Sequence, residues 1–240
     1  MPPPRADQQP STALIVGASR GLGYALAAEF VKRGWHVIGT VRSGARTGLH
    51  ELAEDPSDPV DIEMLDITDP EQIEALRERL SGRSIDVLFV NAGTTAEDAN
   101  GLQRIGGVSQ DEFVRVMVTN ALSPMRVIET LQDLVPEGGL IGAMSSGQGS
   151  ISNNEKGTRE LYRGSKAALN MFMRSFAARE RETSRAMLLL APGWIRTDLG
   201  GPEAPFTLEQ SAPRLVDILL SKRGKAGLEY LDRDGLVVPW

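Results

Sequence analysis

Tyr162 and Lys166 stand four residues apart within Leu161–Arg181, a run whose spacing predicts a helix, so both side chains project from one of its faces. A phenol titrates near about pH 10 in isolation, and a neighbouring ammonium favours its ionised form. Such a pair suits proton transfer to or from an oxygen. Upstream, Met144-Ser145-Ser146-Gly147-Gln148-Gly149 closes an apolar run that reads as a strand, which places two hydroxyls, Ser145 and Ser146, at its carboxyl edge. A carbonyl oxygen can be held there. Asn120 precedes Pro124 by four residues, and Pro124 has no N–H to donate to the Asn120 carbonyl. The proline ring bends the helix expected there and leaves that carbonyl open to another partner.

A second constellation lies near the start of the chain. Gly17-Ala18-Ser19-Arg20-Gly21-Leu22-Gly23 joins an apolar run directly to a helical pattern. Glycines there permit a tight turn and a close approach of backbone to a pyrophosphate, whose charge meets the free N–H groups of the helix N-terminus. With three residues and then one between the glycines, the spacing differs from the G-x-G-x-x-G fingerprint. Arg20 lies inside this loop, and Arg42 stands just beyond the second apolar run, where Thr40-Val41-Arg42-Ser43 carries no carboxylate for a ribose 2′-hydroxyl. Arginines on both sides of that position suit a 2′-phosphate, so NADP(H) is the expected cofactor and NAD(H) the alternative. Asp66 can accept from the adenine amino group and Ile67 can pack on its ring, with Thr68 and Asp69 the nearer helix caps before Pro70. Val90-Asn91-Ala92-Gly93 ends a further apolar run with small residues that let backbone approach a cofactor.

The elements that must position these groups are legible as short β-branched runs alternating with longer helical patterns, the signature of βα units around a parallel sheet. Strands are predicted at Ala13–Val16, His36–Val41, Val60–Leu65, Ile85–Val90, Leu140–Met144, Ala186–Leu190 and Leu228–Leu231. These runs are apolar without clean alternation, as expected when helices cover both faces. Helices are predicted at Leu22–Arg33, Pro70–Leu80, Gln110–Leu134, Leu161–Arg181 and Leu208–Leu220, while Ser43–Pro59, rich in Gly, Pro and charge, carries only a weak helical signal. The implied fold is α/β: one domain over residues 12–240, a Rossmann-like, doubly wound parallel sheet of about seven strands with helices on both faces. Ligands bind such sheets outside the carboxyl ends of the strands, where strand order reverses.

Composition narrows the chemistry. With 26 basic and 32 acidic residues the formal charge is −6, without the positive surplus that nucleic-acid binding needs. The chain has no cysteine, which excludes thiolate catalysis and disulfides, and its two histidines, His36 and His50, offer little for a metal shell. No metal site is expected. Residues 1–11, opened by the proline-rich Met1–Pro10, read as a disordered tail without the features of a signal or transit peptide. No apolar stretch approaches the roughly 18 to 20 residues that span a bilayer, so a cytoplasmic protein without membrane contact is the expectation.

In order, spacing and strand position these motifs resemble the short-chain dehydrogenase/reductase family from Thr12 to Trp240. Tyr162-Arg163-Gly164-Ser165-Lys166-Ala167-Ala168-Leu169-Asn170-Met171, the Pro192–Pro205 segment and the ending Asp234-Gly235 with Pro239-Trp240 are similar to its C-factor and sniffer-type carbonyl reductase branch. The resemblance implies interconversion of a carbonyl and an alcohol, with Tyr162 the general acid/base and Lys166 holding the nicotinamide ribose and depressing the Tyr162 pKa. It favours Ser146, three residues before Gly149 as in the family's Ser-x-x-Gly arrangement, over Ser145 as the group that bonds the carbonyl oxygen. It assigns Asn120 to holding a relay water, and the Pro192-Gly193-Trp194-Ile195-Arg196-Thr197 loop to closing over the nicotinamide, with Ile195 and Thr197 on its carboxamide. Trp194 reads as core packing or as a wall of a substrate pocket built from 94–108, 151–160 and 200–207. Val16 stands where the family usually has Thr, and Val90 where it commonly has Asn; the gap from Ser146 to Tyr162 exceeds the usual spacing. A homodimer or homotetramer through Gln110–Leu134 and Leu161–Arg181 is implied. The alternative function is an NADP(H)-binding signalling or redox-sensing protein with little turnover.

Overall fold

The computed structural model describes residues 10–97 and 102–240, so most of the predicted tail, and 98–101 of the predicted substrate pocket, lie outside the described residues. The strands are β1 Thr12–Val16, β2 His36–Val41, β3 Val60–Met64, β4 Val87–Val90, β5 Leu140–Met144, β6 Ala186–Ala191 and β7 Gly227–Asp232. The helices are α1 Gly21–Lys32, α2 Gly48–Leu52, α3 Pro70–Arg79, α4 Gln110–Met117, α5 Ser123–Leu131, α6 Glu160–Arg179 and α7 Leu208–Lys222. All seven strands pair in parallel in the order β3-β2-β1-β4-β5-β6-β7.

The lack of alternation in the strands follows from burial on both faces. Successive residues of β1 point to opposite sides: Leu14 and Val16 join a core cluster with Ile73, Ile128, Leu131 and Phe176, under α3, α5 and α6. Ala13 and Ile15 join a second cluster with Leu26, Phe30, Leu215 and Leu219, under α1 and α7. The weakly signalled second connection holds the short α2, whose Leu49 is fully buried against β2. Glycine is required opposite it, because a Cβ on Gly39 would lie 2.6 Å from Leu49 Cδ2.

The chain runs outward from β1 to β3 and then returns to place β4 on the other side of β1. Strand order therefore reverses between β1 and β4, and the crevice of a doubly wound sheet opens there. The loops after these two strands are tied together: the N–H groups of Asn91 and Ala92 both donate to the Val16 carbonyl at 2.9 Å.

Gln110–Leu134, expected as one bent helix, is divided. Between α4 and α5 the backbone widens into a π-helical turn, Val118–Leu122, in which the Ser123 N–H donates to Val118 O five residues back, and Gln132–Leu134 tightens into a 3₁₀ turn. Pro124 supplies the reason, because it cannot donate the bond that would keep the α-helical register at Asn120.

Asp69, not Asp66, caps α3. Its carboxylate accepts from the N–H groups of Glu71 at 3.0 Å and Gln72 at 3.4 Å, with Pro70 at the first helical position. Asp69→Ala is expected to lower stability by about 1 kcal/mol, read as a shift in the urea midpoint, since two helix N–H groups lose their acceptor.

Candidate active site

The glycine loop closes by contact between its own backbone and the neighbouring strand ends. A Cβ on Gly23 would lie 2.0 Å from Gly17 O, and one on Gly17 would lie 2.8 Å from Ala92 Cβ. Gly17 also has φ +86°, a left-handed conformation that favours glycine. Helix α1 starts at Gly21 with no side-chain cap and no acidic residue in its first turn, so its free N–H groups and positive dipole end face the crevice without a competing carboxylate. Ser19 is half-buried in the loop and Leu22 packs against the α1/α7 core. The Asn91 amide donates to Gly17 O at 3.0 Å, bracing the loop from β4.

Arg42 is exposed just past the end of β2. Arg20 is exposed as well and pairs with Asp198 at 2.6 Å, a link between the glycine loop and the loop after β6. That second loop follows Pro192 and the left-handed Gly193 (φ +82°), buries Ile195 and brings Thr197 beside Gly21, where a Cβ would meet Thr197 Cγ2 at 3.6 Å. The Thr197 hydroxyl accepts from Gly200 N at 3.0 Å, shaping the turn. Two expectations change here. Trp194 is not core packing: it is 51% exposed, its indole donating to Gly200 O at 2.6 Å. Ile67, expected against an adenine ring, is buried in the α3/α5/α6 core with Leu65 and Ile73, while the neighbouring Asp66 carboxylate accepts from Thr68 N at 2.9 Å.

Helix α6 presents Tyr162, Ser165, Lys166 and Asn170 to the ends of β4 and β5, all of them buried. Lys166 is 4% exposed and donates from Nζ to Met144 O at 2.9 Å, which pins α6 to the end of β5. Burial without a carboxylate partner pulls its amine down to about 8. Burial pushes the Tyr162 phenol up, offset in part by a hydrogen bond from the Ser146 hydroxyl and by the charge of Arg159. Lys166, expected to depress that pKa, is instead turned toward Met144 O, with Nζ 6.0 Å from the Tyr162 ring centroid.

The two serines separate in space. Ser145 is 2% exposed and its hydroxyl donates to Asn170 Oδ1 at 2.6 Å, whereas Ser146 turns its hydroxyl to Tyr162 and accepts from Gln148 N at 3.2 Å. Tyr230 of β7 donates its hydroxyl to Ser146 O, fixing the backbone from the far side. Asn120, fully buried in the π-helical turn, uses its side chain as a bracket: Oδ1 accepts from Thr94 N at 2.8 Å, and Nδ2 donates to Thr94 O and to Ser165 Oγ, each at 2.9 Å. A Cβ on Gly93 would lie 3.3 Å from Asn120 Oδ1 and 3.5 Å from Lys166 Nζ, so these three residues, from three elements, share one spot.

Several contributors carry weaker sequence signals. Thr40, the lone hydroxyl in the apolar run of β2, is 1% exposed and accepts from Gly17 N at 2.9 Å, fastening the glycine loop to the sheet. Arg159 precedes Tyr162 by three residues, a spacing that shares a helix face, but its left-handed backbone (φ 56°, ψ 43°) has no sequence signature. Such a conformation costs a non-glycine residue roughly 1 to 3 kcal/mol and concentrates at functional sites. Among the described residues, no group of three His, Cys, Asp or Glu side chains could hold a metal ion, and no helix is long and apolar enough to cross a membrane.

Residues 11–206 match the family described as short chain dehydrogenase. The chain is 65% identical to a short-chain dehydrogenase/reductase from Burkholderia multivorans crystallised with bound NADP, covering 97% of this chain and 100% of that one with a TM-score of 0.94. A carbonyl reductase from Pseudomonas aeruginosa PAO1, crystallised with NADP, is 34% identical over 97% of this chain and 100% of its own, with a TM-score of 0.88. The 1-hydroxy-2-glutathionyl-2-methyl-3-butene dehydrogenase of Rhodococcus sp. (strain AD45) is 31% identical over 96% of this chain and 100% of its own length.

Thr40→Val keeps the shape of the side chain but leaves the Gly17 N–H without its acceptor; the expected cost is about 1 to 3 kcal/mol in denaturant unfolding, and an unchanged midpoint would refute the fastening role. Lys166 generates a pH dependence. Between pH 8 and 10.5 the folded state has released the Lys166 proton while the unfolded state retains it, so folding gains stability as pH rises through that window. Below it both states are protonated and the fold buries a charge. Unfolding of the nucleotide-free protein and of Lys166→Met, compared from pH 7 to 10, should show the wild type gaining on the variant above pH 8; parallel curves would contradict the buried amine.

Proposed function

Since the chain belongs to the short-chain dehydrogenase/reductase family, we propose that it interconverts a ketone or aldehyde and the corresponding alcohol with NADP(H), Tyr162 serving as general acid and base. The observation that carries this reading is the Tyr162 phenol, buried on the helix face it shares with Lys166, beside the serines that follow β5 and the strand-order reversal.

The residues at the crevice fit a dinucleotide. Gly17 and Gly23 let the loop fold tightly against Ala92 and Asn91, and the uncapped start of α1 offers N–H groups to a pyrophosphate. Arg42, and Arg20 across the loop, suit a 2′-phosphate, in line with the NADP bound by the Burkholderia and Pseudomonas proteins. Asp66 and the backbone of Ile67 would flank the adenine. Asn91, Ala92 and Gly93 would line the ribose side, with Pro192, Gly193, Ile195 and Thr197 over the nicotinamide. A bound nicotinamide supplies or accepts the hydride at the substrate carbon.

The chain's own groups handle the oxygen and the proton. Ser146 donates a hydrogen bond to the carbonyl oxygen, which orients the carbonyl and stabilises charge developing on it. Burial keeps the Tyr162 phenol protonated, and it delivers that proton to the oxygen as the alcohol forms. Lys166, whose pKa near 8 lets it exchange protons close to neutral pH, would hold the ribose and connect the site to the proton relay toward solvent. Asn120, a positioning residue, keeps Thr94 and Ser165 in register, and its carbonyl, which Pro124 cannot engage, anchors a relay water. Exposed Phe113 and Val114 on α4, with Met171 and Phe172 on α6, support a homo-oligomer through these helices.

NADPH oxidation across a panel of ketones and aldehydes tests the reading. Tyr162→Phe should lower kcat by roughly 10²- to 10⁴-fold while NADPH still binds, as expected for loss of a general acid. Turnover equal to the wild type in that variant would exclude Tyr162 from proton transfer.

A further inference from the structure

The charge at the mouth of the site comes from a residue outside the Ser146, Tyr162 and Lys166 set. Arg159 sits at the N-cap of α6, where Ser, Thr, Asp, Asn or Gly is preferred, and makes no capping bond with its side chain. Among the described residues it is the only non-glycine with positive φ. That conformation brings its guanidinium back over the helix face that holds Tyr162. The guanidinium carbon lies 4.9 Å from the Tyr162 ring centroid, and one nitrogen donates to Thr95 Oγ1 at 3.0 Å.

The acidic groups around it are engaged elsewhere. Glu160 accepts from Ile105 N at 2.9 Å, and Glu112 is bound to Arg115 at 2.7 Å and to Glu97 N at 2.6 Å. Among the described residues, no carboxylate pairs with Arg159. Arg115, the nearby second arginine, is neutralised by Glu112 and spends further donors on Thr94 Oγ1 and Thr95 O. Arg159 is only half-buried and shares a cleft with Thr95, Ala96, Gln103, Val108, Leu161 and Tyr162, and with Glu160, whose carboxylate is held by Ile105 N. A guanidinium presents five donors in a planar fork that matches a carboxylate, and one bond to Thr95 leaves most of that fork for another acceptor.

We propose that Arg159 is a specificity-determining residue that selects carbonyl substrates bearing a carboxylate close to the reacting carbonyl, short keto acids and their hydroxy-acid counterparts, over neutral ketones and aldehydes. This rests on the assignment of Tyr162 as the proton donor. The guanidinium clamps the carboxylate beside the phenol ring and so fixes the carbonyl oxygen between Tyr162 and Ser146, an orienting effect that a neutral substrate does not receive. Its position on the ring face also stabilises the phenolate left when Tyr162 gives up its proton, because that charge spreads into the ring.

The test is the ratio of kcat/KM for pyruvate, 2-oxobutanoate and acetoacetate to that for the methyl ester of each, with NADPH and full-length protein. The wild type should favour the acid of at least one pair by roughly 10- to 100-fold, the worth of a charge-assisted hydrogen bond. Arg159→Asn removes the charge with a residue that tolerates the left-handed turn, so it should fold, and its acid-to-ester ratio should collapse toward one, chiefly through KM. Arg159→Lys should recover part of the preference. A wild type that favours the esters, or a ratio unchanged in Arg159→Asn while turnover still depends on Tyr162, overturns the inference and leaves the proton-donor assignment standing. Turnover of the acids that survives in Tyr162→Phe overturns the assignment itself, and no turnover of any pair member overturns the inference.

Discussion

The amine of Lys166 is buried against the carbonyl of Met144 with no carboxylate to compensate it, and the geometry of the site hangs on that contact. A hydrogen bond of 2.9 Å from a helix to the last residue of a strand sets the height of α6 over the sheet. Once α6 is registered there, Tyr162, one turn earlier, must face Ser146, which follows β5 by two residues. Asn170, one turn later, must face Ser145. An amine in such a place weakens the fold below its own pKa.

Departures from regular geometry gather around the same point. The π-helical turn at Asn120, the left-handed Arg159 and the left-handed glycines of the two cofactor-side loops all border the carboxyl ends of β1, β4, β5 and β6. Two apolar clusters fill the space on either side of the sheet. Strain costs free energy only locally, and those clusters offset it. They also make the scaffold stiff enough to hold the phenol and amine of α6 beside the serines that follow β5.

Charge is distributed to the same end. Several arginines on the outer helices are matched to a nearby acid, as Arg179 is to Glu129 and Arg214 to Asp234, and exposed pairs of this kind contribute little to stability. Among the described residues, Arg159 has no such match.

Much of this was legible from residue order alone. Apolar runs of strand length alternating with amphipathic patterns specify a parallel sheet, because only burial on both faces tolerates them; all seven strands fall within a few residues of their predicted positions. Tyr162 with Lys166, the glycine loop and the serines after β5 were likewise readable, since each depends on local spacing along one element. Tertiary contact decided the rest. The resemblance favours Ser146 over Ser145 by its spacing to Gly149, but that the Ser145 hydroxyl is spent on Asn170 of α6 is a contact only packing makes. That Ile67 is buried and Trp194 exposed was decided by packing too, because burial is a property of the packed whole. The direction of the Lys166 amine, the fastening of Gly17 by Thr40 and the turn of Arg159 over the phenol arise from contacts between distant segments or from a backbone angle set by them. Sequence periodicity reports which face of an element is apolar; which partner that face finds is settled only when the elements pack.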